Sequence, residues 1–290
     1  MNVRALYKDN KMIGIVRESW SLSWPMTLIM FYEFLIGLTD VYVAGKFGKD
    51  VQAAYGFSFQ IYFVFIIIGI ALSTGVVSIV SRLFTSEKKE EFNIAVHSSV
   101  TIAAVLGLVF GVAGVIFARH IVRFLNVPQE VKIYAEPFVT VYSIAFFFDY
   151  ILMSTSGIMR ACGMIKKSLL VMTVVCAMNI ILNITLAFHS PLGFRGIAAA
   201  TVISISTGSI LSMIYVKRLT KGFRASLSAF KSIFSIGWPL GLLQASWQLG
   251  MLMLYLIVSL LPEHNVETMA ALTNGLRIES RLSLESARRN

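Results

Sequence analysis

Along this chain the apolar residues gather into long runs, at about 19–44, 55–81, 94–118, 136–159, 168–189, 196–216 and 233–262. Each run exceeds the roughly 18 apolar residues expected of a membrane-crossing helix. A closed barrel would show alternating segments of about ten residues, and the sequence has none. In hydrocarbon the backbone must satisfy its own hydrogen bonds, so these runs are helices. The pattern predicts an all-α polytopic membrane protein with seven spans. A further apolar stretch, Met269 to Leu276, begins like an eighth span and stops after eight residues.

Composition narrows the class. Of 290 residues, 57% are hydrophobic and 14% charged, where an ordinary soluble domain carries roughly 25% charged residues. Mean hydropathy is +0.76. A cytosolic enzyme, a secreted domain and a nucleic-acid binder are all poor fits to so few charges. GxSxG, HExxH and P-loop patterns are absent, so nothing marks a hydrolase or an ATPase. Cys162 and Cys176 form no CxxC and no metal spacing and read as packing residues. His97 and His189 lie near span ends without partners at metal spacing. No cofactor and no resident metal are expected. Residues 1–18 are polar and mixed in charge, unlike a cleavable signal.

The net charge of +10 is carried between the apolar runs, where it orients the chain. One side collects Arg4, Lys8, Lys11, Arg17, then Arg82, Lys88, Lys89, then Arg160, Lys166, Lys167, and finally Lys217, Arg218, Lys221, Arg224 and Lys231. The other side has only Lys46, Lys49, Arg119, Arg123, Lys132 and Arg195. The richer side is cytoplasmic, which places the N-terminus inside and opposes a seven-helix receptor. Seven spans would then put the tail outside, although it carries Arg277, Arg281, Arg288 and Arg289.

The first run opens Ser23-Trp24-Pro25-Met26 and the seventh opens Gly237-Trp238-Pro239-Leu240. Downstream, Ala53-Ala54-Tyr55-Gly56 is echoed by Ala270-Ala271-Leu272-Thr273 at nearly the same spacing. A repeat beginning after six spans re-enters with the same orientation, the parallel kind of transporter repeat. The expected organisation is a cytoplasmic segment 1–18, a six-helix lobe 19–216, a cytoplasmic connection 217–232, the start of a second lobe 233–276 and a polar tail 277–290. Pro25 and Pro239 interrupt helical hydrogen bonding, which a membrane tolerates only where neighbours or cavity water satisfy the freed carbonyl.

Ionisable groups at membrane depth cost about 2.5–3.5 kcal/mol on insertion scales, so they are functional candidates. Asp40 lies near the end of the first run, and Glu33, seven residues earlier, shares nearly its helical face. Asp149 lies in the fourth run. Glu33 and Asp149 would line a cleft or an internal polar seam. Asn179 and Asn183, four apart, share a face of the fifth run, and Thr201 in the sixth can hydrogen-bond a buried acid or ligate a cation. Gly107-x-x-x-Gly111 reads as helix packing.

In this order, the residues resemble the multidrug and toxic compound extrusion (MATE) family of secondary transporters. The resemblance rests on Trp24-Pro25, on Asp40 followed by Gly45, Gly48, Ala53-Ala54 and Gly56, and on Arg160-x-x-Gly163. Asn179-x-x-x-Asn183 and Gly193-x-x-Gly196-x-Ala198-x-Ala200-Thr201 complete it. It implies a cation-coupled antiporter of twelve helices in two lobes, monomeric at full length, in the cytoplasmic membrane. Its partners would be the lipid bilayer and amphipathic or cationic small molecules. The coupling site, for a proton or Na+, would fall on Asp40, Asn179, Asn183 and Thr201. Many members carry Asp where this chain has Asn183, which leaves Asp40 as the principal titrating group. Two further expectations stand beside this one. One is a lipid-linked oligosaccharide flippase of the same superfamily, disfavoured by the few Arg and Lys inside the runs. The other is a C-terminally truncated or frame-shifted product that transports nothing.

Overall fold

The computed structural model describes residues 3–86, 88–125, 127–261 and 264–286. Side chains from 276 onward, and most of those before residue 19, lie outside the description, as do the expectations resting on Arg4, Lys8, Lys11 and the tail arginines. The described residues form α1 (Val3–Lys46), α2 (Lys49–Thr85), α3 (Lys89–Phe124), α4 (Gln129–Ala161), α5 (Ile165–Phe188), α6 (Arg195–Lys217), α7 (Leu227–Ser259) and α8 (Asn265–Ser286). Seven of these, α1 to α7, are long and apolar enough to cross a membrane. They coincide with the seven apolar runs. Several helices extend past the runs, because nothing in the flanking polar residues breaks a helix. Thus α2 begins at Lys49, and Ala53, Ala54 and Gly56 lie inside it.

Helix ends are set by local chemistry. α4 stops at a Schellman motif: Met164 N–H donates to Met159 C=O at 2.8 Å and Gly163 N–H to Arg160 C=O at 3.1 Å. Gly163 sits at φ 73°, the left-handed conformation this cap needs. Arg160-x-x-Gly163 is therefore a helix terminator with a cation in the last turn, where the helix dipole favours positive charge. That corrects the placing of Arg160 among the loop charges; it belongs to α4. Pro25 and Pro239 lie within continuous helices, as does Pro137 in α4. Hydroxyls inside the spans bond back to their own helices, as Thr39 does to Leu35 C=O and Ser143 to Val139 C=O, so they enter the apolar layer satisfied.

α4 is buried along most of its length, between α2, α3 and α6, while α1 packs on α5 and α5 on α6. α3 runs antiparallel to α4 at close range: a Cβ at Gly107 would stand 2.7 Å from Phe146 C=O, and one at Gly111 3.0 Å from Ser143 C=O. Gly107 and Gly111 are packing residues, as their spacing suggests.

α7 lies antiparallel along α2. Gly237 faces the backbone of Ala71, Gly75 faces that of Ile233, and Gln248 Nε2 donates to Gln60 Oε1. α8 crosses the start of α2, where Lys49 pairs with Glu267 and Gln52 Nε2 donates to Asn274 Oδ1 at 3.0 Å. There Gly56 abuts Thr273, the residue that echoes it in the repeat, and Thr273 shares a 3.0 Å hydrogen bond with Tyr255 of α7. The opposite face of α7 is apolar and exposed, with Leu242, Leu243 and Trp247 outward.

A side chain at Gly237 would have to displace the α2 backbone. Gly237→Leu should lower stability by about 1–3 kcal/mol, the usual cost of overpacking. Thermal unfolding in detergent micelles checks this, with Gly250→Leu, where the space is open, as the control that should change little.

Candidate functional site

The site is built from α1, α2, α5 and α6. Asp40 is carried on α1 six residues before its end at Lys46, and its carboxylate is buried. α5 presents Asn179 and Asn183 on one face, both fully enclosed, and α6 presents Thr201 one turn and a half from its start. α5 and α6 approach closely because Gly196 has no side chain: a Cβ there would sit 2.5 Å from Leu186 C of the α5 backbone. That approach brings Thr201 to Asn179.

Asn183 Nδ2 donates to Asp40 Oδ1 at 2.6 Å and to Asn179 Oδ1 at 3.1 Å. Asn179 Nδ2 donates to Thr201 Oγ1 at 3.2 Å. Thr201 Oγ1 lies 3.5 Å from Asp40 Oδ2 and 3.2 Å from Ile197 C=O, two acceptors competing for one hydroxyl proton. Tyr55 OH, from α2, donates to Asp40 Oδ2 at 3.3 Å. The amide and hydroxyl donors named above are neutral. Such donors stabilise a buried carboxylate, but they do not cancel its charge. Asn183 Oδ1 is buried with no hydrogen-bond partner. An amide rotated end for end would turn that oxygen toward Asp40. Two oxygens so placed need either a proton on Asp40 or a cation between them, and carboxylate, amide and hydroxyl oxygens are the ligands that hard cations prefer.

Asp40 and Thr201 also form one wall of a cavity of about 390 Å³ enclosed by α1, α2, α4, α5 and α6. Asn179 and Asn183 stand behind that wall. Glu33 lines the same cavity, exposed to it on the face of α1 shared with Asp40. Asp149 lines it from α4, its Oδ2 accepting a 2.5 Å hydrogen bond from Tyr62 OH. Glu33 and Asp149 therefore do line one polar seam with Asp40. Pro25 and Pro239 are not among the lining residues.

Three residues in this arrangement escape a reading of the sequence. Tyr55 and Tyr62 sit in an apolar run like ordinary core aromatics; a phenol OH that must find a partner when buried is the only hint. Arg160 lines the cavity from the end of α4, its Nη2 donating to Ser73 Oγ at 3.1 Å. The Arg160-x-x-Gly163 spacing closes the fourth helix, but it carries no sign of the hydrogen bond to α2.

Comparison with known proteins places this architecture. The MatE family model matches residues 25–185, more than half of the chain. Among curated relatives, the uncharacterized transporter YisQ of Bacillus subtilis is 23% identical over 83% of this chain and 56% of its own length. The probable multidrug resistance protein NorM of Thermotoga maritima is 23% identical over 92% of this chain and 59% of its own length. The chain spans about half the length of the curated relatives it matches. Among solved structures, a MOP superfamily transporter from Pyrococcus furiosus aligns with a TM-score of 0.78 at 24% identity, covering 89% of this chain and 59% of that one. An outward-facing multidrug resistance MATE family transporter aligns with a TM-score of 0.78 at 23% identity and the same coverage. These structures share its fold. With a family match over more than half its residues and seven apolar helices arranged as in those transporters, the chain is a multi-pass membrane protein of the MatE family.

Proposed function

We propose that this chain contributes the cation-coupling half of a drug-efflux antiporter. Asp40, Asn179, Asn183 and Thr201 take up a proton or Na+, and the 390 Å³ cavity beside them receives an amphipathic organic cation. The observation that carries this reading is a buried carboxylate held by neutral donors from three other helices, backed by an amide oxygen with no partner. The multidrug resistance name of the NorM relative supports the substrate class.

The site has two arrangements with different charge. With no cation, the amide and hydroxyl hydrogens point at Asp40. With a cation, the same groups turn their oxygens inward, which swaps the partners of Asn183 and Thr201 and changes how α1 meets α5 and α6. A bound substrate cation and a bound coupling cation then compete for the same negative charge. The driving force is adequate. A one-for-one exchange of monovalent cations moves no net charge, so the coupling cation's own gradient drives it, each tenfold difference supplying roughly 1.4 kcal/mol and supporting about tenfold exclusion of the substrate.

Orientation follows from the Lys and Arg distribution, which puts the N-terminus in the cytoplasm of a cell whose plasma membrane holds the protein. Asp40 then lies toward the outer end of α1 and Arg160 at the inner end of α4. Reporter fusions should show the connection around Gly163 inside and that around Leu192 outside; the reverse pattern would overturn the assignment.

Asp40→Asn, made at the matching position of a full-length relative, should abolish cation-dependent efflux; unchanged efflux would sink the coupling role. Typical coupling energies predict a loss of roughly 5–150-fold. In this chain, Asn183→Asp adds a second carboxylate and should tighten cation binding by about tenfold or more. Asn183→Leu strands Asp40 Oδ1 and should destabilise the fold by about 1–3 kcal/mol. Radiolabelled sodium binding, proton uptake and thermal unfolding read these effects.

A further inference from the structure

The cavity beside Asp40 holds an arrangement that cation coupling does not use. Its lining carries the carboxylates of Glu33 and Asp149 and the guanidinium of Arg160. Asp149 precedes Arg160 by eleven residues on α4, which separates their backbones by about 16 Å along the helix axis. Glu33 interacts electrostatically with both. Yet the ion pairs among the described residues are Lys49–Glu267, Lys88–Glu91 and Arg224–Glu90, all on the surface. The opposite charges in the cavity face each other without closing into a pair.

Arg160 is held in this position. Ser73 Oγ accepts from Arg160 Nη2 at 3.1 Å and itself donates to Met153 C=O at 3.0 Å. One guanidinium hydrogen thereby fixes the group to α2, while the planar fork retains further donors. Ser168 of α5 lines the same cavity; it is almost fully buried, and its Oγ has no hydrogen-bond partner. A buried hydroxyl costs free energy unless a partner is supplied. Phe59, Phe63, Ile70 and Met153 give the same cavity an apolar wall.

We propose that Arg160, with Ser73 and Ser168, forms a carboxylate-binding subsite, so that the cavity takes an amphipathic zwitterion whose cationic end meets Glu33 and Asp149. Guanidinium is the side chain best shaped for a carboxylate, which it can grip through two parallel N–H bonds. The Ser168 hydroxyl donates to the same group. The ligand's ammonium replaces Arg160 as the counter-charge of the two acids, and its apolar body lies against the aromatic wall. The inference rests on ligand entry into the cavity described above, and it is independent of Asp40 as the coupling site.

The test is equilibrium binding to the purified 290-residue chain in detergent micelles. The probes are the dipeptide phenylalanyl-phenylalanine, its methyl ester and its N-acetyl derivative, followed by calorimetry. The zwitterion should bind at least about tenfold tighter than the ester, the factor expected of one charge-assisted hydrogen bond. Arg160→Gln should erase that preference, and Ser168→Ala should narrow it; the serine variant keeps the test open if the arginine variant fails to fold. Glu33→Gln should weaken the zwitterion and the ester alike and leave the zwitterion-to-ester ratio in place. Equal affinity for zwitterion and ester in the unmodified chain, or a ratio unmoved by both Arg160→Gln and Ser168→Ala, would overturn the subsite. The same ratio measured in Asp40→Asn separates the two assignments: loss of cation uptake there tests Asp40, and the ratio tests Arg160.

Discussion

A carboxylate inside an apolar bundle is tolerated only if other groups reach it, and Asp40 makes that demand on half the molecule. Its oxygens receive Asn183 from α5, Tyr55 from α2 and Thr201 from α6. Each of those helices must stand within hydrogen-bond distance of α1 at one depth. Gly196 makes this feasible by letting α6 start against the end of α5. The placement of one charge thus governs the relative depth of four helices, a specification that apolar packing alone does not supply, since lipid tails are as apolar as Leu.

The helices are built so that polar groups do not undo the apolar layer. Backbone groups are paired within each span, and hydroxyls fold back on the preceding turn. Of the buried polar atoms without a hydrogen-bond partner among the described residues, Asn183 Oδ1 backs the Asp40 cluster and Ser168 Oγ lines the cavity, while His97 Nδ1 and Ser154 Oγ lie away from its lining. Such groups are costly in a low-dielectric interior, and the placement of the first two beside the charges is what distinguishes this cavity from a packing defect.

The sequence makes some of this legible and hides the rest for physical reasons. Hydropathy is a one-dimensional signal, so the seven apolar runs coincide with the seven spanning helices. Spacing of four on a helix put Asn179 and Asn183 on one face, and spacing of seven did the same for Glu33 and Asp40. The Arg160-x-x-Gly163 spacing marks the close of the fourth helix, and the left-handed turn at Gly163 makes that end; that Arg160 lines the cavity depends on the packing of α4 against α2, which the spacing does not carry. Tyr55 and Tyr62 were obscured because an aromatic's hydrogen-bond partner lies on another helix, and periodicity carries no information between helices. The lie of α7 along α2 depends on backbone contact at Gly75 and Gly237, which no pattern of apolar residues specifies.

Glu33 and Asp40 stand two turns apart on one face of α1. At 1.5 Å per residue, the step between them is about 10 Å, a third of the roughly 30 Å hydrocarbon layer. A positive charge moving from one carboxylate to the other would therefore cross about a third of the transmembrane voltage, on the order of 0.8 kcal/mol at 100 mV. For a cation coupled as proposed, α1 is an electrical ladder, and occupancy of its two acids becomes a function of membrane potential as well as of concentration.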